Sequence, residues 1–135
     1  MAGEPKTRPT DASVADHLAA VQSAKRREDA HAACALLGEI TGEAPVMWGP
    51  SIVGFGRYTG PTGEWPVIGF AARKTELVFY CAPGTEARSE LLERLGRHRT
   101  GVSCVYVKSL AEVDPAALRA LLTWSFETVR ARYST

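Results

Sequence analysis

The sequence predicts an α+β fold, a two-layer domain in which an antiparallel β-sheet is flanked by helices in the order ααβββαβα. Three observations carry this reading. Helical periodicity at both ends gives way in the middle to short runs rich in Val, Ile, Phe and Tyr. Glycine and proline bound those runs. The connections between the central runs are also short enough to turn one directly into the next, so neighbours pair antiparallel.

Residues 1–10 hold two prolines and several charges without apolar periodicity, and read as a flexible tail. A single domain over 11–133 follows, with order beginning at Asp11. Ser13 and Asp16 resemble a capping box with Asp in place of Glu, and Val14, Leu18 and Val21 share one helical face. The second helix is expected from Lys25 to Thr41, burying Ala30, Ala33, Cys34, Leu37 and Ile40. It exposes Arg26, Arg27, Glu28 and Glu39, with Gly42 at its C-cap.

Residues 51–58, 66–72 and 76–81 then read as strands. Thr59 to Trp65 joins the first two as an antiparallel hairpin, and Arg73 to Glu76 turns into the third. A helix over 86–95 buries Leu91, Leu92 and Leu95 and ends at Gly96; residues 103–107 form a short strand. In the last helix Asp114 is the N-cap, Pro115 the first helical residue, and Val113 staples against Leu118. Leu118, Leu121, Leu122, Ser125, Phe126 and Val129 keep helical spacing behind it.

The chain's 135 residues suffice for one core without disulfides. Sixteen Lys+Arg against fifteen Asp+Glu leave a net charge of +1, which argues against general nucleic-acid binding but leaves room for a local basic patch. Cys34, Cys81 and Cys104 are widely spaced and lack a C-x-x-C pattern, as expected of reduced thiols in a cytoplasmic protein. No apolar run approaches membrane-spanning length, and the N-terminus has no apolar signal region.

Met47-Trp48-Gly49, Gly54-Phe55-Gly56, Ile68-Gly69-Phe70 with Arg73-Lys74, and Leu95-Gly96 through Gly101-x-Ser103-Cys104 resemble the YdhG-like domain family over about residues 8–122. That family is largely of unknown function, and the resemblance implies a small α+β fold with an antiparallel sheet and flanking helices. Some members are described as frataxin-like iron chaperones, which makes iron handling the alternative function. Val102 departs from the pattern, standing where the family commonly has lysine.

The leading expectation is a non-enzymatic binding or accessory domain for a small anionic molecule or a protein partner, with no cofactor of its own. Arg73, Lys74, Arg97, His98 and Arg99, with Lys108, form the candidate anion site if the turns at 72–76 and 96–102 meet at one sheet edge. Trp48 and Phe55 are its aromatic members, which either line a pocket over a sheet thinned by glycine or pack with Trp65, Phe70 and Tyr80. Glu28, His31 and Cys34 share a helical face and are the weak candidates for metal ligation; Cys34 also falls on the apolar stripe. No concentrated acidic ridge accompanies them, since Lys25, Arg26 and Arg27 dilute the carboxylates around them. Cys104 near His98 is a formal thiol–imidazole pair, yet its hydrophobic strand setting favours a structural cysteine. Gly54-Phe55-Gly56 lacks the third glycine and following helix of a phosphate loop.

Overall fold

Helices α1 (Val14–Ala19), α2 (Ala24–Thr41), α3 (Glu86–Leu95) and α4 (Pro115–Tyr133) begin or end where short polar residues and glycine cap them. Eight strands complete the chain: β1 (Pro45–Trp48), β2 (Ile52–Phe55), β3 (Tyr58–Gly60), β4 (Gly63–Trp65), β5 (Ile68–Ala72), β6 (Leu77–Tyr80), β7 (Arg99–Thr100) and β8 (Cys104–Val107). The computed structural model describes residues 9–61, 63–82 and 86–133, and these elements are those found among them.

Ser13 Oγ accepts from the Asp16 amide at 3.1 Å, as the capping pattern predicts. Ser23 Oγ does the same for Arg26 at 3.2 Å, so α2 starts at Ala24, one residue before the expected Lys25. Gly42, at φ 69, closes α2 by donating to the Gly38 carbonyl. Asp114 Oδ1 accepts from the Ala116 amide at 3.3 Å, leaving Pro115 to open α4 where its missing N–H costs nothing.

Strands β1, β2, β5, β6, β8 and β7 form one antiparallel sheet in that spatial order. The expected hairpin between the first two predicted strands is the β2–β5 pair, and β5 turns directly into β6. Three expectations need correction. The strand expected over 51–58 breaks at Gly56, whose φ of 71 turns the chain out of the sheet. Tyr58–Gly60 then pairs with Gly63–Trp65, so the expected linker is itself a two-stranded ribbon. Two short strands, β1 and β7, join the edges unannounced; neither is long enough to show alternation in the sequence.

The tail boundary also moves. Pro9 bridges Trp48, and the Thr10 amide donates to the Met47 carbonyl at 2.8 Å, so the chain meets the sheet before Asp11. This pairing covers part of the outer edge of β1. The rest of the expected tail, residues 1–8, lies outside the described residues.

Register sorts the sheet into two faces. Met47, Val53, Phe55, Phe70, Leu77, Phe79, Val105 and Val107 share the core with Leu18, Ala30, Ala33 and Leu37 and with the apolar stripe of α4. Each large apolar side chain buried here contributes roughly 1.5–3 kcal/mol. Within α2, Cys34 and Ile40 are half-buried rather than fully buried as expected. In α3 only Leu95 of the three expected leucines is fully buried; Leu91 and Leu92 are half-covered, and Arg88 takes a buried position instead. Its Nη2 donates to the carbonyls of Gly101 and Cys104, both at 3.1 Å, tying α3 to the β7–β8 hairpin.

Trp48, Ala71 and Val78 are buried on the other face, outside that core. A Cβ at Gly54 would stand 2.4 Å from Trp48 Cδ1 and 2.7 Å from Pro66 Cβ. The missing side chain at Gly54 is therefore the space the indole occupies. Gly54→Ala is expected to lower stability by about 1–3 kcal/mol through overpacking. Urea denaturation measures it, and an unchanged midpoint would mean the indole relocates without loss.

Candidate functional site

The basic residues singled out in the sequence divide into two groups. Arg97 lies 3.8 Å from Glu112, and His98 Nδ1 donates to the Gly96 carbonyl at 2.7 Å. Arg99 is ion-paired with Glu76 and sits 4.0 Å above the Tyr106 ring, so its charge is already offset and its face already stacked. Lys108 is exposed and offers its carbonyl to Arg26. Arg73 and Lys74, on the β5–β6 turn, have a different setting. Arg73 Nη2 donates to the Tyr80 hydroxyl at 3.2 Å, and this hydrogen bond holds the guanidinium pKa above its ordinary value.

Arg73 and Lys74 line a cleft of about 590 Å³ whose opposite wall is the α1–α2 junction. His17, Ala20, Val21, Gln22, Ser23 and Arg26 form that wall, with Ala72 beside the turn. The β5–β6 turn also meets the 96–102 segment as expected: Glu76 is ion-paired with Arg99, and Arg73 and Arg99 both lie near the Tyr106 phenol on the outer face of the sheet. Arg26, Lys74 and His17 are the basic side chains of this lining, since Tyr80 holds the Arg73 guanidinium on the opposite face of the sheet, and no described lining residue is a carboxylate. Arg26 Nη1 donates to the Lys108 carbonyl, while its buried Nε has no hydrogen-bond partner among the described residues. A buried donor of this kind normally has an acceptor.

His17 and Arg26 escaped the sequence reading. The signal available was the run Lys25-Arg26-Arg27 directly after the N-cap Ser23, in a first turn without any acidic residue. Cations there oppose the helix dipole, which favours anions at that end.

The aromatic candidates fare differently. Phe55 is fully buried in the core and cannot meet a ligand, because its register position faces the helices. Trp48 is also almost fully buried, although its edge borders a second cleft of about 510 Å³ with Glu43, Arg57, Phe126 and Arg130. Charge in that cleft is mixed: Glu43 lines it, and Arg57 is bound to Glu64 at 3.0 Å.

Glu28 and His31 are exposed on α2, whereas Cys34 turns partly into the core, where burial raises its thiol pKa. Among the described residues no three His, Cys, Asp or Glu side chains lie together as a metal-ion site. Cys104 is half-buried and linked to the Tyr106 phenol, a contact that raises the phenol's pKa. Burial pushes the Cys81 thiol up to about 12. No described helix is long and apolar enough to cross a membrane. No family model, curated protein or solved structure matches the chain.

The Cys81 shift has a measurable consequence. Between its ordinary pKa of 9.0 and about 12 the folded thiol keeps a proton that the unfolded one loses. The unfolded state then binds fewer protons, so stability falls as pH rises through this window; the contribution is complete below it. Urea midpoints from pH 8 to about 10.5 should decline less steeply in Cys81→Ala than in the parent. Parallel profiles would place the alkaline loss in other groups.

Proposed function

We propose that this chain is a non-enzymatic cytoplasmic domain that binds a small anionic ligand in the cleft between the α1–α2 junction and the β5–β6 turn. The observation that supports it is the one-signed lining: Arg26, Lys74 and His17, without a carboxylate among the described residues there. At an effective dielectric of about 20, a single opposite charge 4 Å away gains about 4 kcal/mol before desolvation is subtracted.

The lining supplies donors and positive charge, which suits binding better than catalysis. Ser23, the hydroxyl in the lining, is engaged in capping α2. Three free thiols suit a reducing compartment. Membership of the YdhG-like family belongs to the same proposal, and the antiparallel sheet with flanking helices supports it.

Thermal shift and calorimetry with phosphate, nucleotides and di- and tricarboxylates test the reading, with ferrous iron under anaerobic conditions as the control for iron handling. Anions are expected to raise the melting temperature. Lys74→Ala should weaken binding roughly tenfold, the equivalent of about 1.4 kcal/mol, with little change in the stability of the free protein. Binding of iron with no response to any anion would replace the proposal by the chaperone reading.

A further inference from the structure

We propose that the outer face of the sheet is a docking surface for a protein partner that presents apolar side chains beside a carboxylate. Register defines this face. Val46, Gly54, Gly69, Tyr80 and Cys104 form one row across it, and Ala71, Val78 and Tyr106 belong to the next. No residue in these rows is an acid, a lysine or an arginine. An antiparallel sheet with solvent on one face alternates apolar and polar residues along each strand. Runs such as Leu77-Val78-Phe79-Tyr80 and Cys104-Val105-Tyr106-Val107 instead resemble strands covered on both faces. All four helices contribute to the core on the inner face. On the outer face Val46, Ile52, Tyr80, Cys104 and Tyr106 keep part of their surface exposed.

Charge at the rim selects the occupant. Arg99 lies opposite Tyr106, and Glu76 already offsets its charge. Arg73 reaches the same face: its Nη2 donates to the Tyr80 hydroxyl at 3.2 Å, so its stem crosses the Ala71–Val78 pair. No carboxylate among the described residues is ion-paired with Arg73. A neutral hydroxyl thus orients this guanidinium in advance and leaves its charge for a partner's carboxylate, which lowers the ordering cost of association. Tyrosine and arginine are also the residue types that dominate interface hot spots, around a core depleted in charge. A second copy of this chain matches the face less well, because its Glu76 is bound to its own Arg99. A nucleic acid is the poorer fit too, since a largely uncharged floor with one uncompensated guanidinium neutralises few phosphates.

Selection of phage-displayed short random peptides on the full chain, followed by calorimetry with the enriched peptides as synthetic probes, tests the assignment. Enriched peptides are expected to combine Asp or Glu with Leu, Phe, Trp or Tyr. Arg73→Glu should weaken them roughly tenfold or more, and replacing the peptide's acid by lysine should restore binding to Arg73→Glu. Tyr106→Ala should weaken them as well, while Arg119→Ala, beside Glu39 on the helical layer, should leave them unchanged. If Tyr106→Ala does not fold, the charge exchange at the exposed Arg73 still decides. Peptides that bind Arg73→Glu as tightly as the parent would overturn the proposal, as would a selection that enriches none. Sedimentation velocity showing self-association lost in Arg73→Glu would overturn it in favour of a second copy. Salt-dependent binding of a single-stranded oligonucleotide, lost in the same variant, would give the face to nucleic acid.

Discussion

Ala30, Ala33 and Leu37, all fully buried, belong to the core that joins α2 to the inner face of β5. The alanine side chains at the first two positions limit how much bulk separates the two backbones. Phe70 and Phe79 on the sheet supply complementary volume, their ring centroids 6.4 Å apart. This packing places the start of α2 against the far end of β5, so Ser23 and Arg26 share a cleft with Ala72, Arg73 and Lys74. The cleft is thus a by-product of close packing between a helix and a strand about forty residues apart in sequence.

What the sequence makes legible follows from how local each cause is. Caps are local, so Ser13, Gly42, Asp114 and Pro115 locate helix ends to within a residue or two. The β2–β5 and β5–β6 pairings are nearly as accessible, since glycine and short connections bring neighbouring strands together. β1 escapes because four residues between a short loop and a turn cannot display a period, and its status is decided by pairing with β2. Arg88 escapes for a related reason. A charged residue in an amphipathic helix reads as solvent-facing, and only the carbonyls of Gly101 and Cys104, brought close by the β7–β8 turn, make its burial tolerable.

The candidate site shows the same boundary between local and non-local causes. Arg73 and Lys74 are recognisable as a basic turn, but their neighbours depend on tertiary packing. Register decides the fate of the remaining arginines. Arg99 lies opposite Tyr106 and reaches Glu76, while the Gly96–Val113 bridge brings Arg97 beside Glu112. Neither carboxylate is close in sequence to the arginine it meets. Phe55 illustrates parity: with Gly54 on the outer face, Phe55 must lie on the inner one, and the Gly-Phe-Gly motif serves packing.

The arginines also differ in how they are held. Arg57, Arg97, Arg99 and Arg119 each meet a glutamate, which fixes the side chain and offsets its charge together. Arg26 donates to the Lys108 carbonyl, Arg27 to the Val21 carbonyl at 2.7 Å, and Arg73 to the Tyr80 hydroxyl. Neutral oxygens orient a guanidinium while leaving its full charge in place. The cost is mutual repulsion among Lys25, Arg26 and Arg27 at the positive end of the α2 dipole, each unfavourable by about 0.3–1 kcal/mol at most exposed sites. The buried apolar face of α2 offsets that cost, and Arg26 and Arg27 also tie the start of the helix to the Lys108 and Val21 carbonyls.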